Sequence, residues 1–179
     1  MKHLILFCVL SYKLFAQTLN YEQIKKYVSK IDSLKQHHQL KSYTNSVMSF
    51  CGGGVKGYYD HHQLVYINST YSAELGYSSR IVYLKDSVPY KIIYREHFAE
   101  WDKHLKKYPN SNDQDIEKRM TYTDTVYTII LSKNTVVTKL SNHKVISHII
   151  NQELLKHLLE CVQVMRLEIE KEKNGQKDQ

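Results

Sequence analysis

A chain of 179 residues with 42% hydrophobic composition is long enough for one globular domain and too apolar for a disordered segment. The formal charge is +7, yet basic residues never run more than two together. That pattern excludes a nucleic-acid-binding stripe and describes a solvated surface. Tyrosine is abundant, at 15 residues. Aromatic residues suit a half-buried pleated surface, so the count points to sheet faces.

Residues 1–16 read MKHLILFCVLSYKLFA. Lys2 precedes an apolar run, Leu4 to Leu10, and the small Ala16 follows, which is the layout of a secretory leader. The run is too short to span a bilayer, which takes ~20 apolar residues. Cleavage after Ala16 leaves Gln17 first and removes Lys2 and Lys13, so the mature chain is less basic. The expectation is an exported protein, periplasmic or secreted, not inserted in a membrane. Residues 17–172 form a single α+β domain, and residues 173–179 are a frayed polar tail.

From Asn20 to about Gln39 the spacing predicts a helix. Asn20 caps it, with Gln23 three residues on, and Ile24, Tyr27, Val28, Ile31 and Leu34 make one apolar stripe. Ser42 to Cys51 is read as a first strand, broken by Gly52-Gly53-Gly54. No helix start follows these glycines, so they mark a bend and not a phosphate loop.

The central stretch reads as a train of hairpins. Val65, Ile67, Ser69 and Tyr71 alternate with Leu64, Tyr66, Asn68 and Thr70, and Tyr90, Ile92 and Tyr94 alternate with Lys91, Ile93 and Arg95. Asp60-His61-His62 and Lys85-Asp86-Ser87 are turn clusters between these runs. A short helical turn is expected around Trp101, and Pro109 to Asp115 as an exposed loop. Thr121 to Leu131 and Thr135 to Leu140 form another hairpin. Ile149 to about Glu170 is helical, with Ile150, Leu154, Leu158, Cys161, Val162, Met165 and Ile169 on one face.

The pattern Gly52-Gly53-Gly54, Tyr58-Tyr59-Asp60, Leu64-Val65, Ile67, Tyr71, Glu74, Gly76 resembles that of small exported bacterial proteins of unassigned function. The resemblance covers about a third of the chain. It implies export and an antiparallel sheet, and it brings no catalytic or ligand-binding residues.

Cys51 and Cys161 remain after export. An oxidising compartment permits a disulfide between them. Cys161 also lies on the apolar stripe of the last helix, where a free thiol packs as a small hydrophobe. A thiolate nucleophile needs an activating partner, and none is read near either cysteine. His37-His38 and His61-His62 are poor chelates because adjacent side chains diverge. His143 and His148 flank the start of the last helix. No metal or cofactor motif occurs, so neither is expected. Glu74, Glu96, Glu100 and Asp102 qualify for acid catalysis only by being acidic, and no catalytic residue is assigned.

The expected fold is α+β: an antiparallel meander of about six or seven strands, with an N-terminal and a C-terminal helix packed on one face. The other face would then present tyrosines, with Tyr58, Tyr66, Tyr71, Tyr83 and Tyr94 as the candidate binding surface for a protein, a peptide or a glycan. The leading expectation is a non-catalytic exported binding protein. A structural subunit of an envelope assembly and a hydrolase using acidic or histidine residues are the alternatives.

Overall fold

The computed structural model describes residues 20–46, 52–100, 107, 122–131, 135–140, 145–149 and 151–175. Helix α1, Tyr21–Gln36, is followed by eight strands: β1 Lys41–Asn45, β2 Gly53–Asp60, β3 Gln63–Ala73, β4 Gly76–Lys85, β5 Val88–Ala99, β6 Tyr122–Ile130, β7 Thr135–Leu140 and β8 Val145–Ile149. Helix α2, Gln152–Gly175, ends the described chain, past the expected end of the domain at 172. The strands form one antiparallel sheet in sequence order, each paired with the next. Among the described residues this is an up-and-down meander with one strand more than the largest expected count. The addition is β8, in a segment whose alternation is too short to register beside the helix that follows.

Local chemistry fixes the ends. Asn20 and Gln23 form a reciprocal capping box at 2.9 Å in both directions, so two otherwise orphaned amides are satisfied. Asp86 and Ser87 have φ of 51° and 66°, the paired left-handed geometry of a two-residue hairpin turn.

The two helices lie on opposite faces of the sheet, contrary to the expected single face. Along the central strands β3, β4 and β5, residues go to one helix or the other according to the face they take. Ile67, Val82, Ile92 and Ile129 pack with Leu155, Leu158, Val162 and Ile169 of α2. Tyr66, Tyr83, Ile81 and Ile93 pack with Ile24, Val28 and Ile31 of α1. Both faces must be covered because both are apolar over the same stretch; leaving either wet would forgo roughly 1.5–3 kcal/mol per large side chain.

Two register shifts modify the expected alternation. Tyr58 opposes Tyr66 and Tyr59 opposes Leu64, which makes Val65 an extra residue. Tyr83 opposes Lys91 and Leu84 opposes Pro89, which does the same for Tyr90. A bulge turns the following side chains to the other face. Val65 and Tyr90 therefore join the α1 cluster, while Ile67 and Ile92 pack under α2.

The α1 face is built on tyrosines. Tyr66 stands edge-on to both Tyr58 and Tyr83, at centroid distances of 5.3 and 5.2 Å. The Tyr83 hydroxyl donates to Asp32 Oδ1 at 2.8 Å, and Lys35 Nζ donates to the Tyr66 hydroxyl at 3.0 Å. Burial, then the bond to Asp32, holds the Tyr83 hydroxyl above the ordinary tyrosine range. Burial, then the charges of Asp60 and Asp86, does the same for Tyr27. Tyr94 is pushed up to about 12 by burial and its bond to Glu96. In each case the folded state keeps a proton that the unfolded chain releases near pH 10. Stability from these groups is complete below about pH 10 and declines as pH rises toward and beyond 12. Urea midpoints at about pH 8 and about pH 11 should therefore differ, with the lower at alkaline pH, and tyrosinate absorbance should appear together with unfolding.

Candidate functional site

The face under α2 is organised in cross-strand rows, and its chemistry changes from one row to the next. Gly57, Ile67, Val82, Ile92 and Ile129 oppose one another from β2 to β6, and the four isoleucine and valine side chains are all 0% exposed. The next row on the same face is Val55, Ser69, Arg80, Tyr94 and Tyr127. Beyond it comes Tyr71, Ser78, Glu96 and Thr125. A wholly apolar floor thus gives way within two residues to hydroxyls and a guanidinium, and within four to a carboxylate. Packing alone does not call for such groups, because burying them costs free energy unless they are paired.

Part of the polar set is paired. Tyr94 donates its hydroxyl to Glu96 Oε1 at 2.7 Å and stacks on Tyr127 at 5.7 Å between centroids. Burial first, then Glu96, also raises the Tyr127 hydroxyl. Arg80 lies over the Tyr94 ring, with Cζ 4.9 Å from its centroid. Two atoms are left over. Arg80 Nε and Ser69 Oγ are buried with no hydrogen-bond partner among the described residues.

Both residues line a cavity of about 390 Å³ between this row and the middle of α2, from His157 to Glu168. Val55, Met165 and Val164 supply apolar wall, and His157, Glu160, Cys161 and Glu168 come from the helix. Its mouth lies beside Tyr71 and Val164, which are 51% and 59% exposed. The acidic groups on the wall are engaged. Glu168 takes Asn45 Nδ2 at 3.0 Å and Lys171 Nζ at 2.7 Å, and Glu160 lies 3.9 Å from Lys156 Nζ. A smaller depression of about 290 Å³ at the other end of α2, lined by Tyr59, Arg166, Glu170 and Lys173, is polar throughout most of its wall. Apolar lining with a few unmade polar bonds characterises small-molecule sites, which favours the larger cavity.

The five tyrosines expected to share an exposed face do not. Tyr66 and Tyr83 are buried at 2% and 5%, and with Tyr58 they belong to the cluster under α1. Tyr71 and Tyr94 lie on the opposite face, one at the cavity mouth and one beneath Arg80. Cys51 lies outside the described residues, as do the leader, Trp101, Asp102, the 109–115 loop and His143. Cys161 is a half-buried free thiol.

Sequence reasoning missed His157. Its Nε2 is 3.7 Å from Cys161 Sγ, one helical turn away, where residues four apart are neighbours. No third group among the described residues orients His157, so the pair lacks the arrangement of an activated nucleophile. Glu160 and Glu168 are also poor partners for acid catalysis. Each already faces a lysine, Lys156 at 3.9 Å and Lys171 at 2.7 Å, and their backbones lie ~12 Å apart along the helix. Glu74 is exposed in the β3–β4 turn, Glu100 accepts from Thr123 at 2.6 Å, and neither lines the cavity. Among the described residues no group of three histidine, cysteine or carboxylate side chains is placed to hold a metal ion, and no helix is long and apolar enough to cross a membrane. The chain was compared with family models, curated proteins and solved structures, and it matches none of them.

Proposed function

We propose that the protein is an exported, non-catalytic binding protein whose ligand is a small molecule held in the cavity between α2 and the sheet. The support is one observation: the row Val55, Ser69, Arg80, Tyr94 and Tyr127 brings to the wall of an apolar space of about 390 Å³ two residues, Ser69 and Arg80, that each carry a buried polar atom with no hydrogen bond among the described residues. That volume is within the ~300–1,000 Å³ usual for ligand pockets. A ligand whose binding turned either atom into the cavity would recover ~1–3 kcal/mol for that buried polar group. Export rests on the leader-like residues 1–16, and the cavity replaces the tyrosine face as the binding element.

One measurement examines export and binding together. Native mass spectrometry of the protein from its own envelope fraction should give a polypeptide mass beginning at Gln17 and a small non-covalent adduct lost on activation. A polypeptide retaining Met1 would remove export. An adduct-free chain, with no small molecule able to slow alkylation of Cys161 at the cavity wall, would remove the binding role.

A further inference from the structure

We infer that the ligand is a carboxylate-headed amphiphile, its head group on Arg80 and Ser69 and its apolar body against Val55, Val164 and Met165. The inference rests on the cavity being the binding site and adds the chemistry of the occupant.

Charge decides the head group. The wall holds one arginine and two glutamates, and both glutamates already have cationic partners in Lys171 and Lys156. Glu96, in the next row, accepts from Tyr94 and is a diagonal and not a direct neighbour of Arg80. Arg80 has only the Tyr94 ring among the described residues, and its Nε points to no acceptor. A guanidinium offers donors in a fixed fork that matches a carboxylate, and a hydroxyl beside it can donate to the same oxygen. Ser69 is that hydroxyl, directly opposite Arg80 in the strand pairing. His157, on the facing helix, also lines the cavity and brings no negative charge.

The body of the ligand follows from the remaining wall. Met165 adapts to irregular apolar shapes, and Val164 and Tyr71 at the mouth leave apolar surface in water that a chain would cover. A fully polar anion such as inorganic phosphate would satisfy Arg80 and leave that surface wet.

The test uses three ligands of equal chain length, decanoate, decanol and decyltrimethylammonium, titrated calorimetrically against the intact protein. In parallel, the rate of iodoacetamide modification of Cys161 is followed by peptide mass. Decanoate should bind and slow Cys161 modification, and decanol should bind at least about tenfold more weakly, as for loss of a charge-assisted bond. The cation should bind more weakly still. Arg80→Met should bring decanoate down to the level of decanol. Equal binding of decanoate and decanol, both protecting Cys161, would overturn the carboxylate inference while leaving the cavity as a binding site. So would preference for the cation, or decanoate binding that leaves Cys161 unprotected. Protection by none of the three would remove the cavity reading and the inference with it. The comparison within the unaltered protein decides the matter even where Arg80→Met folds poorly.

Discussion

Gly57→Val should cost several kcal/mol of folding stability and open the cavity at the same time. Gly57 occupies the β2 position of the apolar row, directly under α2. A Cβ there would stand 2.6 and 2.8 Å from Cγ2 and Cδ1 of Ile169 and 3.0 Å from Cδ1 of Leu64. Ile169 is 0% exposed, so its side chain has no empty space to enter. Even alanine must displace the helix or strain a rotamer, at ~1–3 kcal/mol, and valine adds two methyl groups to the same conflict. Relief comes from lifting α2, whose middle is the cavity wall: Met165 is one turn from Ile169. Urea unfolding should show a lower midpoint for Gly57→Ala and a much lower one for Gly57→Val. Ile169→Ala should destabilise the wild type by ~2–5 kcal/mol through the void it leaves and yet be partly compensating in the valine background. Strict additivity of the two changes would mean that Gly57 and Ile169 do not meet.

The sequence announces the strands well and their faces badly. Period-two alternation from Val65 to Tyr71 and through Tyr90 to Tyr94 places β3 and β5 correctly, because alternation survives any choice of partner. Assigning a face needs an unbroken count, and one extra residue at Val65 and another at Tyr90 reverses it. Local composition gives no sign of either bulge. The position of the helices was more accessible. Leu64-Val65-Tyr66-Ile67 and Ile81-Val82-Tyr83-Leu84 are continuous apolar runs, the pattern of strands covered on both sides. Such runs leave no wet face for a tyrosine platform, and Tyr66 and Tyr83 are accordingly core. The candidate site was the least legible part. Ser69, Arg80, Tyr94 and Tyr127 come from four strands and share a row only through the register of three pairings. In the sequence each stands among other polar strand residues, such as Asn68 and Thr70 beside Ser69 or Ser79 beside Arg80, and nothing singles it out. His157 was the exception, since its spacing of four from Cys161 is visible in any helical segment.

Covering both faces also means that neither helix is an accessory, and Ile31→Asp should show it. Ile31 is 0% exposed and packs in the α1 cluster with Val65, Tyr66, Tyr83 and Tyr90. Losing its burial and cavity-filling volume costs ~2–5 kcal/mol, and placing a carboxylate among those rings, beside the existing Asp32, adds desolvation or protonation on top. A domain of ordinary stability has only ~5–15 kcal/mol to lose. Lys30→Asp, one residue earlier, is the control. Lys30 is 62% exposed and 3.7 Å from Asp60, a surface pair worth ~0–1 kcal/mol. Ile31→Asp should therefore unfold most of the chain at a denaturant concentration that leaves Lys30→Asp folded. Strand and helix signals in circular dichroism should fall in one transition, because removing α1 wets the tyrosine face of strands whose other face carries the α2 cavity. Loss of helix signal alone, with the sheet and ligand binding intact, would make α1 a detachable cover and confine the fold's essential core to the α2 face.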